Sequence, residues 1–342
     1  MVRPINSYDY LRVITAFAVV FLHTAAPYLY DFNTLSQSNW MAVNIYDSIS
    51  RWCVPVFFML SGAFLLNPKR EETLKVLYTK RVMKLLIPLV AWSIIYYIYT
   101  AILHNDFSLE HFVRDFLNNE TFFHLWFLYI LIGLYVLIPI LRMITRQASQ
   151  KMLLYILLLW FIQTPLKELL NHYLHLDIYF DIPLGKYLGF FILGYYLMTY
   201  EIPKKTRILS YVLGLISLFV TVYGTYVGTL ENNGRFFGFY YYYLRPNVIF
   251  MAIAIFIFFK YSRLSFAPQF IQKIDGQSFG IYLVHALLLK EFTRLLHSVT
   301  GHEYLFSNLY INTIIVAIII FTVSYFVSKW IRRIPVLKHI IP

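Results

Sequence analysis

Arg12 and His23 lie eleven residues apart in the first apolar stretch of the chain. Eleven residues make almost three whole turns, so on a helix both side chains point the same way, roughly 16 Å apart along the axis. Such a face would carry a cation at one mouth and an imidazole deep in an apolar environment. Ionisable groups inside hydrocarbon are costly and by default mark function. The plainer alternative makes Arg12 an interfacial anchor and His23 a hydrogen-bonded packing residue, and spacing alone leaves both open. A second imidazole, His285, occupies another apolar stretch with Tyr282 three residues before it on the same face. A structural or supporting role suits this pair better than direct catalysis. A basic cluster, Lys80, Arg81 and Lys84, opens a further apolar stretch, and Arg81 and Lys84 are spaced to share a helical face. With Arg12 it would gather cations suited to a phosphorylated ligand such as a nucleotide or coenzyme A, although anchoring is the commoner meaning of such clusters.

Other residues have a chemical reading and a bland one. Ser61 is a candidate nucleophile, but the Ser61-Gly62 pair in an apolar helix more often permits close packing. Asp9 either orients Arg12 or caps the first helix. Trp126 suits stacking on a sugar and equally an interfacial anchor; His124 beside it is expected at the interface. Gly185-x-x-x-Gly189, Gly224-x-x-x-Gly228 and Gly276-x-x-x-Gly280 read as packing surfaces. The one cysteine, Cys53, cannot form an internal disulfide, and no metal-ligand set is apparent.

The elements that must hold these residues are membrane helices. Of the 342 residues, 59% are hydrophobic and only 13% charged, about half the roughly 25% charged content of soluble domains. A span needs about 20 mostly apolar residues, and ten segments approach this: 10–30, 49–66, 83–103, 124–142, 152–170, 184–200, 207–227, 245–260, 276–296 and 309–330. The first resembles a signal peptide only superficially, being about as long as a full span and followed by Pro27. With the N-terminus in the cytosol, 21 of the 29 Lys and Arg residues, Arg3, Lys69 and Arg70 among them, fall at cytosolic ends, as the positive-inside rule requires. The expected architecture is therefore an all-α, polytopic membrane protein with about ten helices and both termini cytosolic. Residues 1–335 form a single transmembrane domain, 336–342 a short cytosolic tail, and no fused soluble domain fits. The net charge of +12 is mostly a topology signal, which argues against nucleic-acid binding.

Five blocks in order resemble the acyltransferase 3 family of membrane acyltransferases: Asp9-Tyr10-Leu11-Arg12 with His23; Val54 to Gly62; Lys80-Arg81-Val82-Met83-Lys84 with Pro88; His124 to Leu128; and Ser278 to His285. The departure is lysine at 80 and 84 where arginine is frequent, which weakens bidentate phosphate contacts there. The resemblance implies transfer of an acyl group, usually acetyl, from cytosolic acyl-CoA to a hydroxyl of an extracytoplasmic glycan, glycolipid or related envelope molecule. It implies a multi-pass protein of the cell membrane using no metal. On that basis His23 is expected to be the general base for the acceptor hydroxyl, or else to carry the acyl group covalently. Arg12, Lys80, Arg81 and Lys84 are expected to bind the coenzyme, with Asp9, Ser61, Trp126, Tyr282 and His285 as supporting or acceptor-side candidates. The alternative is a transporter or flippase whose buried histidines relay protons.

Overall fold

The computed structural model describes residues 6–67, 72–175, 178 and 185–342. Arg3, Lys69 and Arg70 lie outside the described residues, as does the first position of the segment expected at 184–200. All regular structure among the described residues is helical: α1 Ser7–Ala25, α2 Gln37–Ser50, α3 Cys53–Leu65, the short α4 Leu74–Val76, α5 Met83–His104, α6 Leu109–Leu117, α7 Trp126–Val136 and α8 Ile138–Gln147. These are followed by α9 Gln150–Phe161, α10 Lys167–Leu174, α11 Leu188–Thr199, α12 Lys204–Glu231, α13 Pro246–Tyr261, α14 Pro268–Asp275, α15 Ser278–Thr300 and α16 Leu309–Ile331.

Every expected segment contains a helix, but length and apolar composition single out fewer than ten as long enough to cross a membrane. Among the described residues seven qualify, and an eighth if α7 and α8, bent by 56° at their junction, count as one broken span. Helix α11 has only 12 residues, and α15 carries Lys290, Glu291 and Arg294 toward its end. The second segment differs most from expectation. It begins at Gln37 rather than 49, and α2 and α3 join across a break at Arg51-Trp52. Asn44, Asp47 and Ser48 depress the hydropathy of α2, yet they are buried. Tyr241 Oη donates to Asn44 Oδ1 at 2.6 Å and Ser48 Oγ donates to Tyr241 Oη at 3.1 Å, so Asn44 and Ser48 find partners inside the bundle, while Asp47 pairs with Arg51 through one carboxylate oxygen only.

Connections pair off at two ends of the bundle. At the end where α1 begins, Tyr10 Oη donates to the Phe266 carbonyl, Lys260 Nζ to the Tyr200 carbonyl, and Arg332 to the Gly276 carbonyl. At the other end, Tyr28 Oη donates to the Glu303 carbonyl, Asn39 Nδ2 to the Ser307 carbonyl, and Arg245 pairs with Glu168 at 2.7 Å. Asn6 starts α1 with a reciprocal cap: its side chain accepts from the Tyr8 and Asp9 amides, and Asp9 Oδ2 accepts from the Asn6 amide at 2.9 Å. Asp9 therefore caps the helix, and it also lies 3.8 Å from Arg12.

Close packing holds the centre. A Cβ on Gly62 of α3 would collide with the Phe191 carbonyl of α11, and one on Gly194 of α11 would collide with the Met59 carbonyl of α3. Where lipid supplies no hydrophobic drive between helices, such backbone contact is the main source of association. Gly280 of α15 meets Ser328 of α16 in the same way, while Gly185 meets almost nothing. Helix α12 turns Ile208, Leu215, Ile216 and Phe219 outward, a greasy face suited to acyl chains. Residues 336–342 do not hang free: the Ile340 carbonyl accepts from Trp92 Nε1 at 3.0 Å, and Ile341 is buried.

Gly62→Ala and Gly194→Ala should each destabilise the protein by about 1–3 kcal/mol, because a carbonyl rather than a mobile side chain must give way. Gly133→Ala, where no atom lies within 4 Å, is the neutral control. Thermal melting in detergent distinguishes the three, and equal melting for all would contradict the packing account.

Candidate active site

Arg12 and His23 both belong to the unbroken helix α1, so their axial separation of roughly 16 Å stands. Each faces a cavity. The larger, about 500 Å³, is lined by Arg12, Ser61, Arg81 and Asp275. The smaller, about 20 Å³, is lined by His23, His124, Trp126 and Tyr243. Phe57, Phe127 and Tyr282 line both, so three aromatic rings stand between the cation's cavity and the imidazole's.

A chain of hydrogen bonds fixes the state of His23. His285 Nδ1 lies 2.7 Å from the Tyr282 carbonyl and 3.2 Å from the Ile281 carbonyl. A carbonyl only accepts, so His285 carries its proton on Nδ1 and presents the lone pair of Nε2. His23 Nδ1 sits 2.8 Å from that Nε2, so His23 must donate from Nδ1. The lone pair of neutral His23 is then on Nε2, the nitrogen not engaged with His285. The two rings are near parallel, 5.1 Å between centroids and 9° apart in plane, as an in-plane bond between their edges requires. His285 is fully buried and acts on His23 rather than on a ligand.

Tyr282 has a double part: its backbone orients His285, while its hydroxyl donates to the His124 carbonyl at 2.6 Å. Trp126 is not a peripheral anchor; its ring stacks on Tyr243, 5.6 Å between centroids, beside the His23 cavity. His124 likewise departs from its expected interfacial position, being only 2% exposed. Ser61 faces the larger cavity, while its neighbour Gly62 makes the helix contact.

The basic cluster is divided. Arg81 lines the larger cavity with Arg12, whereas Lys80 and Lys84 are exposed and line neither cavity. Residues Leu77–Val82 form a π-helical turn, and this wide turn ends between Arg81 and Lys84. The three-residue spacing that aligns side chains on an α-helix therefore does not carry across.

Acidic partners that the spacing did not reveal hold both arginines. Arg12 Nη1 donates to both carboxylate oxygens of Asp275, at 2.6 and 2.7 Å; Nε and Nη2 take no part in this pair. Arg81 donates to Glu72 Oε1 at 2.8 Å, while Arg142 donates to Glu72 Oε2 at 3.2 Å and to the Leu65 carbonyl at 2.8 Å. On the other side of His23, Arg51 pairs with buried Asp47 and lies over the Tyr241 ring, 4.3 Å from its centroid. The four-residue step from Asp47 to Arg51 was a legible signal for that pair. Asp275 is remote from Arg12, and Glu72 lies nine residues before Arg81, not at the three- or four-residue helical spacing, so neither carried one. Among the described residues, no group of three or more His, Cys, Asp or Glu could hold a metal ion.

A model of the acyltransferase domain matches residues 5–333, nearly the whole chain. The chain belongs to this acyltransferase family. Neither the curated proteins nor the solved structures contain a match. The match takes in α1, both cavities and the histidine pair, so the polytopic bundle is a membrane acyltransferase domain.

Glu72→Ala should cost about 3 kcal/mol, because Arg142 is almost fully buried and would lose its charged partner. A melting temperature in detergent indistinguishable from that of the unaltered protein would show that the carboxylate does not hold this corner together.

Proposed function

We propose that this chain is a membrane O-acyltransferase, specifically an O-acetyltransferase, that moves an acyl group from cytosolic acyl-CoA to a hydroxyl on an extracytoplasmic glycan, glycolipid or related envelope molecule. The observation that carries this reading is the path along one face of α1: a cavity bearing Arg12 and Arg81 opens toward the start of the helix and abuts, across three rings, a pocket holding an oriented His23. A long anionic donor with its reactive end remote from its phosphates matches that layout.

The phosphates would sit with Arg12 and Arg81, competing with Asp275 and Glu72 for the guanidiniums. Lys80 and Lys84, exposed outside the cavity, would raise the local concentration of an anion without touching it. The pantetheine arm, comparable in length to the Arg12–His23 separation, would pass between Phe57, Phe127 and Tyr282. At the far end, His23 Nε2 takes the proton of the acceptor hydroxyl as its oxygen attacks the thioester carbonyl. The resulting imidazolium remains hydrogen-bonded through Nδ1 to His285, which prevents ring rotation during the step. Trp126 and Tyr243 would offer rings to a sugar face.

Ten passes with both termini cytosolic complete the proposal. Two observations support it: the distribution of Lys and Arg between alternate loops, and the pairing of alternate connections at opposite ends of the bundle. Helix α11, though short, runs from Lys186, which lies near Glu168 at one end, to Tyr200 beside Lys260 at the other.

The test uses inverted membrane vesicles, cytosolic face outward, supplied with labelled acetyl-CoA, the vesicles' own envelope glycans serving as acceptor. Label should enter lumenal glycan. His23→Ala should lower the rate by at least about 1,000-fold, and His285→Phe by about 10- to 100-fold, through lost orientation. Arg12→Gln and Arg81→Gln should raise the half-saturating donor concentration about tenfold, while Lys80→Gln and Lys84→Gln change it by about twofold or less. Undiminished transfer by folded His23→Ala would refute the base assignment. A lack of transfer by the unaltered protein would refute the function.

A further inference from the structure

His124 is a third imidazole at the site, and its circumstances differ from those of the other two. It lies at the N-terminal approach to α7, with its backbone carbonyl pinned by Tyr282 Oη at 2.6 Å. Its ring is enclosed by Tyr96, Tyr282 and His285, at centroid distances of 5.1, 5.2 and 5.4 Å. It is only 2% exposed and helps line the small cavity opposite His23. Neither of its ring nitrogens makes a well-formed hydrogen bond, although the Leu283 carbonyl lies close enough to act on the ring. The nearby Tyr96 hydroxyl is occupied, donating to the Leu283 carbonyl at 2.7 Å and accepting from the Leu287 amide at 3.2 Å.

A neutral imidazole always carries one N–H and one lone pair. Leaving both buried without well-formed partners is costly, and a native fold retains such a cost where something else completes the bonds. The cavity beside it, about 20 Å³, has room for one small group such as a carbonyl oxygen or a water.

We infer that His124 is the electrophilic residue of the site, its ring N–H donating to the thioester carbonyl oxygen as negative charge develops there. This inference rests on the acyl-transfer reading above and adds a second residue that touches the reacting atoms. The two imidazoles divide the work because of their surroundings. A base becomes a cation, and His23 has a fixed neighbour, His285 Nε2, that accepts from its other nitrogen throughout. His124 has no such acceptor to itself, because the nearby Leu283 carbonyl already accepts from the Tyr96 hydroxyl, and a second cation would face the first across the cavity. Donation without proton transfer is the role left to it.

In the step, the acceptor oxygen bonds to the carbonyl carbon and its proton passes to His23 Nε2. The carbonyl π pair moves onto oxygen, where it receives the His124 N–H. On collapse the C–S bond breaks, its electron pair leaves on sulfur, and the thiolate takes the proton back from His23. His124 ends as it began.

The inverted-vesicle assay with labelled acetyl-CoA tests this, with rates normalised to folded protein. His124→Phe and His124→Leu, two non-donors of different shape, should lower the saturated rate about 100- to 1,000-fold. The half-saturating donor concentration should move by about twofold or less. His124→Gln, whose amide restores an N–H, should recover at least about tenfold over the Phe variant. Near-normal rates for a folded Phe or Leu variant, or a Gln variant no better than they are, would overturn the donor role while leaving the acyltransferase reading intact. Loss of fold in all three variants would assign His124 to structure and overturn it as well. If the unaltered protein transfers nothing, both proposals fall together.

Discussion

The Tyr282 carbonyl decides which nitrogen of His23 is basic. It accepts from His285 Nδ1, which leaves His285 Nε2 bare, which in turn draws the proton of His23 onto Nδ1. Among the described residues, no carboxylate is hydrogen-bonded to either ring. A backbone dipole does the orienting here, and a dipole brings no net charge into the interior. An aspartate in the same position would require desolvation of an anion beside hydrocarbon. The arrangement works only if α1 and α15 keep their register to within a fraction of an ångström, because a hydrogen bond of 2.8 Å between two planar rings tolerates little sliding.

That register depends on contacts some distance away. Helix α15 is seated by Gly280 against Ser328 of α16, while α3 is drawn onto α11 through Gly62 and Gly194. Tyr282, Phe127 and Phe57 come from three different helices and meet at the partition between the cavities. The small residues thus place the large ones. At the cation end, Asp275 and Glu72 hold the arginine side chains in place and partly neutralise each guanidinium.

Much of this was legible in the sequence. The five blocks gave the family, the eleven-residue step put Arg12 and His23 on one face, and the Ser61-Gly62 pair divided as close packing would have it, with glycine at the contact. What escaped had physical reasons. Helix α2 was hidden because hydropathy counts Asn44, Asp47 and Ser48 as polar whether or not Tyr241 and Arg51 pair with them. Arg81 parted from Lys84 because a π-helical turn has no signature in spacing. His124 stood beside Trp126, which suggested the membrane surface, and only the fold shows that its ring turns inward. Asp275 is remote in sequence from Arg12, and no periodicity joins them.

The ring partition has a consequence for the cell's energy supply. A protein that admits a large polar coenzyme from one side and a sugar from the other risks becoming a leak. Between the two cavities stand Phe57, Phe127 and Tyr282, and beyond them lies space for about one water molecule. No file of water can form across such an apolar septum, so neither protons nor sodium ions find a wire to follow. Under the proposed function, acyl groups would cross while any ion gradient over the membrane stayed charged.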